Sequence, residues 1–324
     1  MSPQTVASNF VIASRRSPLA QAQAFMVRDL LAAAAEVDID AAEDLFPVKT
    51  FVSSGDRNLS GSLAEIGGKG LFTKEIEEAL LNGTARFAVH SMKDMPAVSP
   101  PGLVFAGSPP REDPRDVFIS FRAESPWSLP FGARLGVSSV RRAAQTLARR
   151  PDLELAPLRG NVGTRLQKLK DGEADATFLA MAGLKRLGME EIATAVLEPE
   201  EMLPAVGQGA LFIQARADDE EALALAAKVS CPETFVCTTA ERAFLAGLDG
   251  SCRTPIAGLA VIDGDDVWLR GELLTLDGSK RFAVERRFAC ATGGEKEAAR
   301  IGADAAREIR AKAGPDHFAS IASP

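Results

Sequence analysis

The sequence predicts an α/β fold with mostly parallel sheets covered by helices on both faces, followed by a separate small α+β unit. Three observations predict it. Apolar strand candidates alternate with helical patterns up to about residue 230. Beyond that point the pattern changes to a helix, a hairpin-rich stretch and a long Ala-rich helix. The chain has 324 residues and is 46% apolar, enough to bury more than one core and to divide into two or three domains.

Phe10 to Ala13 reads as the first strand. Ser17-Pro18 then opens a helix, with a capping hydroxyl followed by proline at the first helical position, and Ala20, Ala24, Val27 and Leu31 continue it. A second helix follows Gly67 to Gly70, carries Ile76 and Leu80 one turn apart and stops at Asn82-Gly83. Further strands are expected at Phe87 to Val89, Leu103 to Ala106, Val117 to Ser120, Leu135 to Val137, Ala176 to Ala180 and Leu211 to Gln214. Pro100-Pro101 and Pro109-Pro110 read as turns or connections. Near the C-terminus, Thr239 to Gly247 reads as a helix with Ala240, Phe244 and Leu248 at helical spacing. Hairpin turns fall at Asp263-Gly264-Asp265-Asp266 and Asp277-Gly278, and a helix runs from Glu295 to Ala313.

Composition narrows the function classes. Apolar stretches are broken well before the roughly 20 residues that span a bilayer, so no membrane partner is expected. Met1 to Phe10 lacks a basic start followed by a long apolar core, which points to a cytoplasmic protein. Four cysteines, at 231, 237, 252 and 290, make neither a C-x-x-C metal spacing nor a dense disulfide framework. With two histidines in the whole chain, neither a His-based metal site nor a Cys-His catalytic pair is expected.

Three segments carry chemistry. Gly250-Ser251-Cys252-Arg253-Thr254-Pro255 puts a thiol in a glycine-flanked bend after a helix that Pro255 cannot continue; the thiol is either a displayed nucleophile or a small filler. His90-Ser91-Met92-Lys93-Asp94-Met95-Pro96 leaves a strand with an acid beside a lysine, which suits proton handling or cation stabilisation, with a helix N-cap as the alternative for Asp94. Between Arg134 and Arg186 there are eleven Lys or Arg against five Asp or Glu, while the whole chain has net charge −7, so the basic block is a local feature. Within it, Arg149-Arg150, Lys168 and Lys170 read as solvated helix faces.

Together with Ile12 to Ala20, Gly67 to Glu75, Ser138-Ser139-Val140-Arg141-Arg142, Leu158 to Arg165, Ala182 to Gly188 and Leu203 to Ala210, these segments closely resemble the hydroxymethylbilane synthase family, also called porphobilinogen deaminases. The resemblance covers most of the chain. It implies two lobes like those of periplasmic binding proteins plus a third domain bearing the cysteine. The expected boundaries are 1–108 with 207–226 for domain 1, 109–206 for domain 2 and 227–324 for domain 3, with crossings near Pro109 to Pro114 and Glu198 to Gln208.

The resemblance further implies a dipyrromethane cofactor held covalently by a thioether to Cys252, porphobilinogen as substrate and a growing polypyrrole chain as the bound partner. Four substrates lose ammonia in turn and couple head to tail, and hydrolysis then frees the linear tetrapyrrole. Asp94 is expected to stabilise the cationic pyrrole through its N–H groups. Lys93, Ser139, Arg141, Arg142, Arg159 and Gln208 are expected at the cofactor. Arg15, Ser17, Lys69, Phe72, Arg165 and Arg186 are expected at the substrate. Arginine suits this because its planar fork grips a carboxylate through two hydrogen bonds and stays charged. Ser139 and Thr164 are expected at helix starts, where backbone N–H groups favour anions. Gln208 is either a hinge residue or a cofactor contact.

Two positions depart from the family pattern: Val137 stands where threonine is often found, and Glu65 where a basic residue is common. Cys237 reads as buried structure rather than a second attachment point. A noncatalytic anion-binding protein is the alternative of another class, opposed by Cys252. A nucleic-acid binder is disfavoured by the acidic overall charge, 6% aromatic content and absence of tyrosine. A monomer is expected.

Overall fold

A computed structural model describes residues 9–52, 73–250, 254–290 and 294–322. The chain divides into two compact units, one of residues 1–111 with 210–234 and one of residues 112–209 with 235–324.

The first unit is built on a five-stranded sheet of β1 (Ile12–Arg15), β2 (Val48–Phe51), β3 (Phe87–Ser91), β4 (Leu103–Gly107) and β10 (Leu211–Arg216), in the order β2-β1-β3-β10-β4. β1 runs parallel to β2 and β3, whereas β10 is antiparallel to both its neighbours. β3 is central, and its Phe87, Ala88, Val89 and His90 are all buried. That is why it reads as a continuous apolar run rather than an alternating one. The helix Pro18–Ala34 starts as its sequence dictates, Ser17 accepting the Ala20 N–H at 3.3 Å with proline at the first position. Its Ala24, Val27 and Leu31 join Phe10, Phe46 and Phe87 in one core. The helix Lys74–Leu81 buries Ile76, Ala79 and Leu80 on the sheet's other face, against Ala13 and Ala88.

The second unit repeats the plan. β5 (Asp116–Ser120), β6 (Arg134–Gly136), β7 (Glu154–Ala156), β8 (Ala176–Ala180) and β9 (Ala195–Leu197) stand in the order β7-β6-β8-β5-β9, with β5 antiparallel to both neighbours. Separate apolar clusters built on alternate strand residues cover its two faces, Phe118 and Phe178 on one and Val117 and Leu179 on the other. Each sheet therefore has four parallel strands and a single reversed one, which is the mostly parallel α/β architecture expected.

The same unit carries an antiparallel meander of β11 (Ile256–Asp263), β12 (Asp266–Leu274) and β13 (Arg281–Ala289), turned at the two Asp-Gly sites read from the sequence. The helices Pro232–Gly247 and Glu295–Ala313 pack closely, since a Cβ on Gly302 would lie 2.1 Å from the Ala240 carbonyl oxygen. This is the α+β unit expected. Cys237 is buried in its core beside Ala240 and Phe244, as the sequence suggested. Among the described residues no helix is long and apolar enough to cross a membrane.

Candidate active site

The predicted site residues fall into two groups, one in each unit. Cys252, Lys69 and Phe72 lie outside the described residues, as does Glu65.

In the first unit, Arg15 ends β1, Ser17 caps the following helix, and Asp94 closes a short 3₁₀ turn, Met92–Asp94, at the exit of β3. The strand order places β1 beside β3, so these residues come to one end of the sheet. Arg15, Ser17, Thr73, His90 and Asp94 line one cavity of about 60 Å³. Asp94 and Lys93 are exposed, while Met92 and Met95 on either side are buried and anchor the turn. Met95 continues in extended conformation, so Asp94 is not the N-cap of a helix.

His90, a motif residue to which the sequence assigns no role, is a wall of the same cavity. Burial, aided by the charge of Arg15, lowers its pKa from 6.5 to about 4. The imidazole is thus neutral at physiological pH. The sign of the linkage follows: the unfolded chain protonates this His below about pH 6.5, the folded chain only near pH 4. Stability is therefore fully present above pH 6.5 and falls as pH drops towards 4, by roughly 3 kcal/mol from this residue. Thermal unfolding between pH 7 and 4.5 is expected to show a shallower decline for His90→Gln than for the wild type; equal slopes would remove His90 as the cause.

In the second unit the arginine block converges on one carboxylate that the sequence reading did not single out. Asp116, the first residue of β5, is fully buried. Its Oδ2 accepts from Arg141 Nη1 at 2.7 Å, and its Oδ1 accepts from Arg142 Nη2 at 2.6 Å, Arg142 Nε at 3.1 Å and Gln208 Nε2 at 3.0 Å. Burial opposes ionisation of Asp116, but the charges of Arg141 and Arg142 outweigh it and hold the carboxyl well below the usual range. Arg142 places its remaining nitrogen on the Phe178 carbonyl at 2.8 Å. This departs from the expected grip of Arg142 on a bound carboxylate, because a protein carboxylate occupies its fork. Arg141 Nη1 also reaches the Leu203 carbonyl at 2.9 Å, whereas its buried Nε has no partner among the described residues.

Ser139 caps the helix Val140–Leu147, its Oγ accepting from the Arg142 N–H at 3.4 Å, as expected. Thr164 does not begin its helix. Asn161 is the cap of Val162–Lys170 and accepts from the Thr164 N–H at 2.9 Å, because an Asn side chain reaches the third residue on. Arg159 is half-buried just ahead of that helix. Arg165 donates its Nε to the Gly160 carbonyl at 2.9 Å, and Arg186 one terminal nitrogen to the Gly209 carbonyl at 2.7 Å. Burial lowers both pKa values to about 10, with the charge of Arg142 adding to the effect on Arg165 and Glu112 opposing it on Arg186. Both stay charged at neutral pH. Gln208 is buried and also donates to the Pro114 carbonyl at 2.7 Å. Its neighbour Gly209 has φ +89°, and a Cβ there would sit 2.2 Å from the Glu112 carbonyl oxygen. The Gly-Gln-Gly segment thus holds residues 112–116 at close range.

The described residues thus form an α/β protein with a cavity bearing Asp94 and Arg15 in one unit and several charged guanidiniums in the other. Sequence comparison specifies the family. Residues 10–224 match the profile of the porphobilinogen deaminase dipyromethane cofactor binding domain, and residues 235–311 that of the porphobilinogen deaminase C-terminal domain. Proteins named porphobilinogen deaminase share 52% identity in Paracoccus denitrificans, covering 95% of each chain, and 50% in Nitrobacter winogradskyi, covering 96% of each. The Sorangium cellulosum protein of that name is 48% identical over 94% of this chain and 99% of its own. A solved periplasmic binding protein of Salmonella typhimurium aligns with 69% of this chain and 92% of its own at 11% identity and a TM-score of 0.40. The chain belongs to the porphobilinogen deaminase family.

Proposed function

We propose that this protein is a hydroxymethylbilane synthase, which condenses four porphobilinogens head to tail with loss of ammonia and releases the linear tetrapyrrole by hydrolysis. The observation that carries this reading, beyond family membership, is the gathering of buried and half-buried cationic donors in one unit. Arg141 and Arg142 share one carboxylate, and Arg165 and Arg186 bond backbone carbonyls. Porphobilinogen has an acetate and a propionate arm, so a dipyrromethane presents four carboxylates. The unspent Nε of Arg141 and the half-buried forks of Arg159, Arg165 and Arg186 fit such a group. When bound through Cys252, the dipyrromethane supplies a free pyrrole α-carbon as primer.

The chain's own residues then divide the work. Arg141, Arg159 and Ser139 bind cofactor carboxylates, with Lys93 beside Asp94 assisting; Arg142 and Gln208 hold that set from within. Arg15 and Ser17 bind substrate arms beside Asp94, while Arg165 and Arg186 take those of the growing chain. Lys69 and Phe72 are assigned to the substrate from their motif. Asp94 opposes positive charge that develops on pyrrole nitrogen as ammonia leaves, an electrostatic contribution to the transition state. The domain boundaries 1–108 with 207–226, 109–206 and 227–324 are retained as functional divisions. We also assign a monomer in the cytoplasm, without nucleic-acid or membrane partners.

Purified protein from cells able to make porphobilinogen, given porphobilinogen, should release ammonia and linear tetrapyrrole in a ratio of about four to one; absence of both products would refute the assignment. The arginine roles separate in a second experiment. Arg142→Lys keeps the charge but loses the fork on Asp116, so denaturant unfolding should report a loss of about 2 kcal/mol. Arg159→Lys should leave stability within about 0.5 kcal/mol of wild type and instead stall chain growth, visible as enzyme carrying extra pyrroles by mass. The reverse pattern would exchange their roles.

A further inference from the structure

We propose that Asp116 is a positioning residue for this reaction, fixing Arg141, Arg142 and Gln208 so that the Arg141 Nε–H is left as a donor for a carboxylate of the dipyrromethane. The inference rests on the functional reading above. Stability alone is a poor reason for such a cluster. A buried ion pair is often replaceable by well-packed apolar residues at no cost, and an orphaned buried N–H is a penalty. The cluster is also unbalanced. Two guanidiniums, 4% and 7% exposed, share one fully buried carboxylate, and Arg165 is close enough for the charge of Arg142 to lower its pKa. Glu272 faces Arg141 as well; its Oε2 is ion-paired with Arg281, while its buried Oε1 has no hydrogen-bond partner among the described residues. Arg141 and Arg142 further occupy the first turn of the helix Val140–Leu147, where the backbone already presents positive potential. Cations there are unfavourable unless an anion completes the set.

Geometry shows why Asp116 controls the arrangement. Its two oxygens separate the arginines, Oδ2 taking Arg141 and Oδ1 taking Arg142. Arg141 Nη1 is then shared with the Leu203 carbonyl, which Gln145 also holds at 2.9 Å. That pins the end of the guanidinium and leaves Nε over. The same carboxylate ties in Gln208, so the Arg141 helix and the Gly-Gln-Gly segment are set by one residue.

The test compares full-length protein made with and without a supply of porphobilinogen, following loading by intact mass and unfolding by temperature. Asp116→Asn should load at least tenfold more slowly from added hydroxymethylbilane, and its gain in Tm on loading should be less than half that of wild type. A purely structural role would lower the Tm of both forms and leave that gain unchanged, which would overturn the proposal. If Asp116→Asn does not fold, Asp116→Glu retains the charge and displaces only the oxygens. It should show the same reduced gain, and a full wild-type gain would refute positioning. In unloaded wild type, the Arg142 Nε–H should exchange slowly with solvent by arginine-selective NMR. Fast exchange that slows only after loading would likewise overturn it. Wild type that acquires no dipyrromethane mass at all would overturn both this proposal and the functional reading, whereas normal wild-type loading with an unaffected variant overturns this proposal alone.

Discussion

Cys252→Ser is expected to emerge from cells at the mass of its bare sequence, to give no colour with an aldehyde reagent for pyrroles, and to have no detectable turnover. The wild type should be heavier by one dipyrromethane and should turn pink with the same reagent. The size of the effect follows from the chemistry. A serine hydroxyl is a far weaker nucleophile than a thiol at neutral pH, so no primer is attached and every later coupling lacks its acceptor. Cys237→Ser is the control. Cys237 lies in the apolar core beside Ala240 and Phe244, so its replacement should cost stability while preserving both the added mass and the colour. A Cys252→Ser protein that still carries the pyrroles would move the attachment elsewhere in the chain.

Asp94→Asn should fail in a different way. The substitution keeps size and hydrogen bonding at the 3₁₀ turn but removes the negative charge beside Arg15 and Ser17. Losing a charge aimed at a transition state costs roughly 3 to 4 kcal/mol, or two to three powers of ten in rate, by analogy with removal of an oxyanion-hole donor. The variant, supplied with preformed tetrapyrrole, should still load, because attachment is assigned to Cys252 and not to Asp94. Single-turnover measurements on the loaded variant should then show slow ammonia release. Loaded Asp94→Asn that couples pyrroles at the wild-type rate would pass the catalytic role to another group lining the cavity. Burial keeps His90 neutral there, so it is the first to test.

The folding pattern was legible because it is local. Ser17-Pro18 predicts a helix start since the capping oxygen and the fixed proline φ act within one turn, and the structure begins the helix at Pro18. β2, β7 and β9 escaped the sequence reading for the converse reason. They have three or four residues each and lie at sheet edges, formed because the strand beside each offers a hydrogen-bonding edge. The reversed strands β5 and β10 were legible as strands but not as antiparallel, since direction is decided by the partner.

The same division governs the site. Sequence by itself determined the family, the α/β class and the arginine-rich block, and it singled out Asp94 and Cys252 as candidates, because motif residues sit in contiguous segments whose order and spacing survive without a structure. Only the tertiary structure decided which groups the arginines bond. Asp116 opens an apolar run 25 residues before Arg141 and 92 before Gln208, and nothing in its neighbourhood announces either partner. The antiparallel entry of β5 beside β8 brings Asp116 opposite Ala180 and places it under the first turn of the Val140–Leu147 helix. Burial then turns a charge that would be screened in water into the strongest local constraint on two guanidiniums. Charge content is a property of composition, whereas which charges neutralise each other and which remain for a ligand depends on distances that exist only after folding.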